Sequence, residues 1–220
     1  MRIKQILFGG LLCAAAISTA QNTITFQPHY KVGQTMRYAM DMSMSAPQAM
    51  TMHMVVAQKV SKIYPNGDVE MAVTTSDGKM NMGGQSRALP GNTTTMKVNK
   101  YGQPVNGAGA NMMGSMGFDP GSMASMVPHR PLKVGETIPL NQKGKNGSSM
   151  TGTLKVASIS GGVAKMIMNA TMTTGTTGSM KLVMTSYVTT ADSQMKSMDG
   201  TMSGFMGQPN AVAHIKMVRL

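Results

Sequence analysis

The sequence predicts an all-β protein: an antiparallel half-barrel or strongly curved sheet built from two similar halves. Three observations predict it. Apolar and polar residues alternate over most of the chain, which is the period of a half-buried strand and not of a helix. Turn-forming residues separate the alternating runs. A short motif recurs at a spacing of about 100 residues, each time just ahead of such a run. No long amphipathic helix is visible.

The first element, residues 1–20, has the pattern of a cleavable signal peptide. Arg2 and Lys4 give a positive start, and Ile6 to Ile17 is apolar. Ser18, Thr19 and Ala20 place small residues where a signal peptidase reads. The apolar stretch is shorter than the roughly 20 residues a spanning helix needs, and no later segment supplies a transmembrane span. Leu12, not a small residue, precedes Cys13, which argues against a lipid anchor. The expected protein is therefore exported, periplasmic or extracellular, and begins near Gln21. The cut would remove the single cysteine, leaving no disulfide and no thiolate chemistry.

Residues 21–220 read as one β domain. Tyr38, Met40, Met42 and Met44 share one strand face, with Arg37, Ala39, Asp41 and Ser43 on the other. Met50, Met52, Met54 and Val56 line the next strand, opposite Thr51, His53, Val55 and Ala57. Pro65, Asn66 and Gly67 turn the chain, and Val69, Met71 and Val73 return it. A second hairpin runs up from Met150 to Ser160, turns at Gly161 and Gly162, and returns over Val163 to Thr173. Further strands are expected near 179–189, 93–99, 194–203 and 211–219, and frequent threonine suits them.

The two halves, about 28–100 and 128–220, echo each other. Pro28, His29 and then Lys31-Val32-Gly33-Gln34-Thr35 are answered by Pro128, His129 and then Lys133-Val134-Gly135-Glu136-Thr137. The glycine allows a tight turn and the threonine opens a strand. At a constant spacing, Val56 and Ala57 would match Val156 and Ala157, and His29 would match His129 as a lead-in residue. Between the halves lies a glycine-rich connection, about 102–127, in which Asp119 and Pro120 could open one short helix ending before Pro128.

These motifs resemble those of uncharacterised exported bacterial β-domains with a duplicated Lys-Val-Gly-x-Thr half-sheet. More loosely, the layout is similar to half-barrel envelope proteins that hold lipids. The resemblance implies a fold and no catalytic residues, and a fold does not fix a function.

Composition narrows the function classes. The formal charge is +12, and removal of Arg2 and Lys4 leaves +10, which favours anionic surfaces as partners. Nucleic acid is not expected, because the mature chain has only four arginines, no tryptophan and no clustered charge. No nucleophile elbow, zinc-protease motif or phosphate loop is present, so no enzymatic activity and no cofactor are expected. His29, His53, His129 and His214 are dispersed, and Asp68 and Glu70 flank a turn.

Methionine is the informative residue: 28 in all, against six leucines after the signal. It could simply fill the core. It could instead make the core plastic enough to take an apolar or amphiphilic ligand. In that case Met40, Met42, Met44, Met50, Met52 and Met54 line one concave surface, and the partner is an apolar small molecule or an envelope component. A third reading is soft-metal binding, Cu(I) or Ag(I), through Met112, Met113, Met116, Met123 and Met126 of the central connection, with Met195, Met198, Met202 and Met206 as a second series. Residues i and i+2 of one strand stand about 6.6 Å apart, whereas donors to one ion with metal–sulfur bonds of about 2.3 Å stand about 4 Å apart. A loop therefore suits an ion better than one strand does. A purely structural envelope role fits the first reading. Lys155, Lys165 and Lys181 fall opposite the apolar faces of the second half and could form a basic stripe towards an anionic surface.

Overall fold

A computed structural model describes residues 22–45, 48–105, 127–143, 149–174, 178–204, 208 and 210–220. These form thirteen strands and no helix. In chain order they are β1 (Thr23–Ile24), β2 (Thr35–Met44), β3 (Met50–Ile63), β4 (Val69–Met82), β5 (Gln85–Ala88), β6 (Asn92–Val98), β7 (Leu132–Lys133), β8 (Thr137–Lys143), β9 (Ser149–Ser160), β10 (Val163–Thr174), β11 (Gly178–Thr189), β12 (Met195–Ser203) and β13 (Val212–Arg219). The expected signal peptide, residues 106–126 of the glycine-rich connection and the short helix expected there lie outside the described residues.

β2–β6 and β8–β13 make one antiparallel, strongly curved sheet of eleven strands, in the order β5-β4-β3-β2-β13-β12-β11-β10-β9-β8. β6 shares the far side of β4 with β5. The last strand closes the two halves together, since Met217 of β13 faces Met40 of β2. Among the described residues no ladder joins β8 to β5 or β6, so the sheet is open and not a closed barrel. The turns depend on glycine. Gly161 and Gly162, with φ of 56° and 72°, supply the two left-handed residues that a two-residue β9–β10 hairpin needs. Gly83 and Gly84 do the same between β4 and β5, a hairpin that no alternating pattern signals.

Period-two burial is evident on β2, where Met36, Tyr38, Met40 and Met42 are buried and Thr35, Arg37 and Asp41 are exposed. The buried methionines of β2 and β3 share one face, while Val55, at 8% exposure, is buried on the other. A two-stranded ribbon, β1 with β7, lies on the methionine side: Ile24 and Leu132 face each other at 1% and 0% exposure, within the main apolar cluster. A smaller cluster of Met36, Tyr38, Val60, Val69, Met71 and Val98 fills one end.

The recurring motif folds the same way twice. The Gly33 N–H donates to the Val60 carbonyl at 2.9 Å, and Val60 N–H donates back to Gln34 O at 2.9 Å. The Gly135 N–H donates to Val156 O at 2.8 Å, and Val156 N–H to Glu136 O at 3.0 Å. Each turn is also closed by its own side chain: Lys31 N–H donates to Gln34 Oε1 at 3.0 Å and Lys133 N–H to Glu136 Oε2 at 2.9 Å. The partner of Val156 is thus Val60, not the Val56 that a constant spacing matches, because the first half has the longer ladder, ten β2–β3 pairs against seven β8–β9 pairs. His29 and His129 also part company. His29 directly precedes Tyr30 and its N–H donates to Asp192 O at 3.1 Å, while the His129 ring stacks on Tyr101 at 3.6 Å.

Candidate functional site: methionine rungs across the buried face

Strand register decides which methionines meet. β2 and β3 pair so that Met40 faces Met54, Met42 faces Met52 and Met44 faces Met50. All six expected residues therefore lie on one face, as three cross-strand pairs with Cβ atoms about 4.5–5.5 Å apart. Met40, Met42, Met52 and Met54 are buried at 4–7% exposure in the main cluster; Met44 and Met50 pack against it, half-buried.

The rungs continue beyond these six. Met40 faces Met217, which faces Met198, so Met54, Met40, Met217 and Met198 form one row over four strands. The next row runs Met80, Met52, Met42, Ile215, Gly200, Met184, Met168. Methionine supplies eleven buried members of the main cluster against four leucines, so it does leucine's usual work there. Its unbranched thioether gives a softer filling than leucine would. These inter-strand rows were not legible in the sequence, because period fixes the face of a strand but not its register.

Two glycines fit adjacent strands closely together within this face. A Cβ at Gly152 would lie 2.2 Å from the Asn169 carbonyl oxygen, and one at Gly200 2.8 Å from the Val183 carbonyl oxygen. Backbone cannot give way there, so both positions require glycine.

The soft-metal readings divide. Met112, Met113, Met116, Met123, Met126 and Met206 lie outside the described residues. Met198 and Met202 are buried in β12. Four residues apart in a strand, they stand about 13 Å from each other and do not share an ion. Among the described residues, no group of three His, Cys, Asp or Glu side chains could hold a metal.

The opposite face carries a groove of about 420 Å³ lined by Asp41, His53, Lys79, Asp199, His214 and Lys216 among others. Across one row the residues read Asp199, Lys216, Asp41, His53, Lys79. His53 Nδ1 and Asp41 Oδ1 are 2.7 Å apart. The phase of Asp41 and His53 was readable from the sequence, but their alignment into one row was not.

The lead-in segment is pinned near the small cluster. Gln27 N–H donates to Ser193 Oγ at 3.1 Å, Ser193 Oγ donates to Thr25 O at 3.0 Å, and Gln194 Nε2 donates to His29 O at 3.3 Å. Burial, with a smaller contribution from Tyr38, pushes the Tyr30 hydroxyl up to about 12. Burial also raises Tyr38, against the opposing pull of Arg219. Both phenols are thus neutral near pH 7 and serve as amphipathic fillers.

Lys155 and Lys181 are exposed and Lys165 is half-buried, all on the face opposite the methionines. Lys155 faces Ile167, two residues along β10 from Lys165, while Lys181 faces Thr171 further along the same strand. They are scattered over three strands and do not form a tight line.

No family model matches the chain, and no curated protein sequence matches it. No helix among the described residues is long and apolar enough to cross a membrane.

Proposed function

We propose that this is a non-enzymatic exported binding protein whose methionine-lined face accommodates a lipid-like or other apolar ligand. The observation that carries the reading is the set of cross-strand methionine rows on one face of an unclosed sheet. A rigid core needs no such concentration of thioethers, since leucine and isoleucine specify a unique arrangement better. Methionine can change rotamer at little cost and re-form its contacts around a guest. The β1–β7 ribbon, with Ile24 and Leu132 at the centre of the cluster, is the segment that would shift to admit one.

Native mass spectrometry of the purified mature chain tests this. The expected result is a co-purified apolar adduct, or uptake of the fluorescent probe N-phenyl-1-naphthylamine that is lost on Met40→Lys or Met54→Lys. A bare mass with no probe uptake would overturn the reading. It would leave the methionines as core filling and the chain as a structural envelope protein, a role that the low exposure of Met40, Met42, Met52 and Met54 also suits.

A further inference from the structure

Charge is distributed unequally over the open face of the sheet. From Thr137 to Ala191 the chain contains no Asp and no Glu. That stretch supplies β8, β9, β10 and β11, so one wing of the sheet carries cations alone. Elsewhere several cations have acidic neighbours. Lys97 meets Asp68 at 2.9 Å, Arg130 meets Glu136 at 2.5 Å, Arg219 lies 3.9 Å from Asp192, and Lys216 sits between Asp199 and Asp41. Among the described residues no ion pair involves Lys155, Lys165 or Lys181.

Between these lysines the open face carries exposed hydroxyls and amides, with two half-buried aliphatic residues, Ile167 and Val183, among them. One row runs Asn141, Thr151, Thr171, Lys181, and the next contains Thr153 and Asn169. These Asn and Thr side chains are exposed. Tyr187, directly across from Lys165, is the only large apolar side chain exposed among the described residues of the wing, at 37%.

From this we infer that the open face of β8–β11 binds an anionic polysaccharide. The lysines meet its carboxylate or sulfate groups, and the Thr and Asn rows meet its hydroxyls. Lys155 and Lys165 are diagonal neighbours about 7–8 Å apart, so they contact separate acidic groups along one polymer. The Tyr187 ring offers an apolar face to a sugar ring. An anionic membrane is the less suited partner, because surface-seated proteins add buried aliphatic or aromatic area to their charge and this face exposes one tyrosine. Nucleic acid is less suited again: the stretch has no arginine and no array of stacking aromatics. The proposal is independent of any ligand on the methionine face.

The test is isothermal titration of the mature chain with polygalacturonate at low salt, with neutral dextran and phosphatidylglycerol vesicles as comparators. Saturable binding to polygalacturonate and none to dextran is expected. The triple variant Lys155→Gln, Lys165→Gln, Lys181→Gln should weaken binding about tenfold, the sum of three modest exposed contacts, with an unchanged thermal midpoint. Removing equal charge elsewhere, by Lys31→Gln, Lys62→Gln and Lys100→Gln, should weaken it no more than about threefold through the overall field. No polygalacturonate binding, equal weakening by the two triple variants, or binding to vesicles but not to the polymer would each overturn the proposal.

Discussion

The two Lys-Val-Gly-x-Thr turns give one molecule two versions of the same local design. Their backbone bonds coincide almost to the tenth of an ångström, and Gly33 and Gly135 share a left-handed conformation, with φ of 82° and 86°. The strands beyond the two turns differ. After the first turn, Tyr38 of β2 faces Val56 of β3; after the second, Leu140 of β8 faces Gly152 of β9. Before the first turn stands half-buried Tyr30, and before the second stands Leu132 at 0% exposure. The motif therefore specifies the turn and the strand it opens. The neighbouring residues specify how closely the next strand approaches and which cluster the lead-in enters.

The sharpest way to break this comparison is to make the second half like the first. Gly152→Val should be the most damaging substitution considered, because its Cβ would meet the Asn169 carbonyl oxygen and the Ala170 backbone. A loss of at least about 4 kcal/mol, or failure to fold, is expected from a clash that backbone alone can relieve. The reciprocal Val56→Gly removes a half-buried side chain and adds backbone freedom, for a loss of about 1–2 kcal/mol. Denaturant midpoints of the two variants decide it, and similar losses would show that Gly152 is not a contact position.

The lead-in residues sharpen the comparison at a smaller scale. Leu132→Ala opens a void at the centre of the main cluster, beside Ile24, and should cost about 2–5 kcal/mol. Tyr30→Ala, at the rim of the small cluster, should cost less, since that residue is only half-buried. Thermal unfolding in which Tyr30→Ala lowers the midpoint more than Leu132→Ala would reverse the assignment of the second lead-in as the buried anchor.

Most strands are legible in the sequence, and the reason is physical. Burial on one face writes a period of two into Met36 to Met44 and Ser149 to Ser160, and glycine or proline marks the turns. β5 is not legible, since Gln85 to Ala88 is exposed throughout and so carries no alternation. The methionine face is legible strand by strand, but its rows are not, because pairing between β2 and β13 joins residues far apart in the chain. Gly152 and Gly200 are equally hidden: each is needed because of a neighbouring strand, not because of its own turn. Val60 does not stand out as the counterpart of Val156, because the extra residues lengthen the β2–β3 ladder itself, where the alternation runs on and marks no insertion.

The smallest difference between the two turns is chemical, one neutral and one charged side chain in the same place. Gln34 closes the first turn through its amide oxygen. Glu136 closes the second through a carboxylate, which is held below its ordinary range first by Arg130 and then by the Lys133 N–H. A carboxylate lowered by folding contributes stability above its unfolded pKa and loses it as pH falls through the lowered folded value. The second turn should therefore loosen between neutral and acidic pH while the first does not. Amide exchange at the Gly135 N–H, which bonds Val156, should rise relative to that at the Gly33 N–H, which bonds Val60, once intrinsic pH dependence is removed. Glu136→Gln should make the two amides respond alike. Equal responses in the unmodified protein would mean that the glutamate only repeats what glutamine does, and that the two turns differ in sequence but not in behaviour.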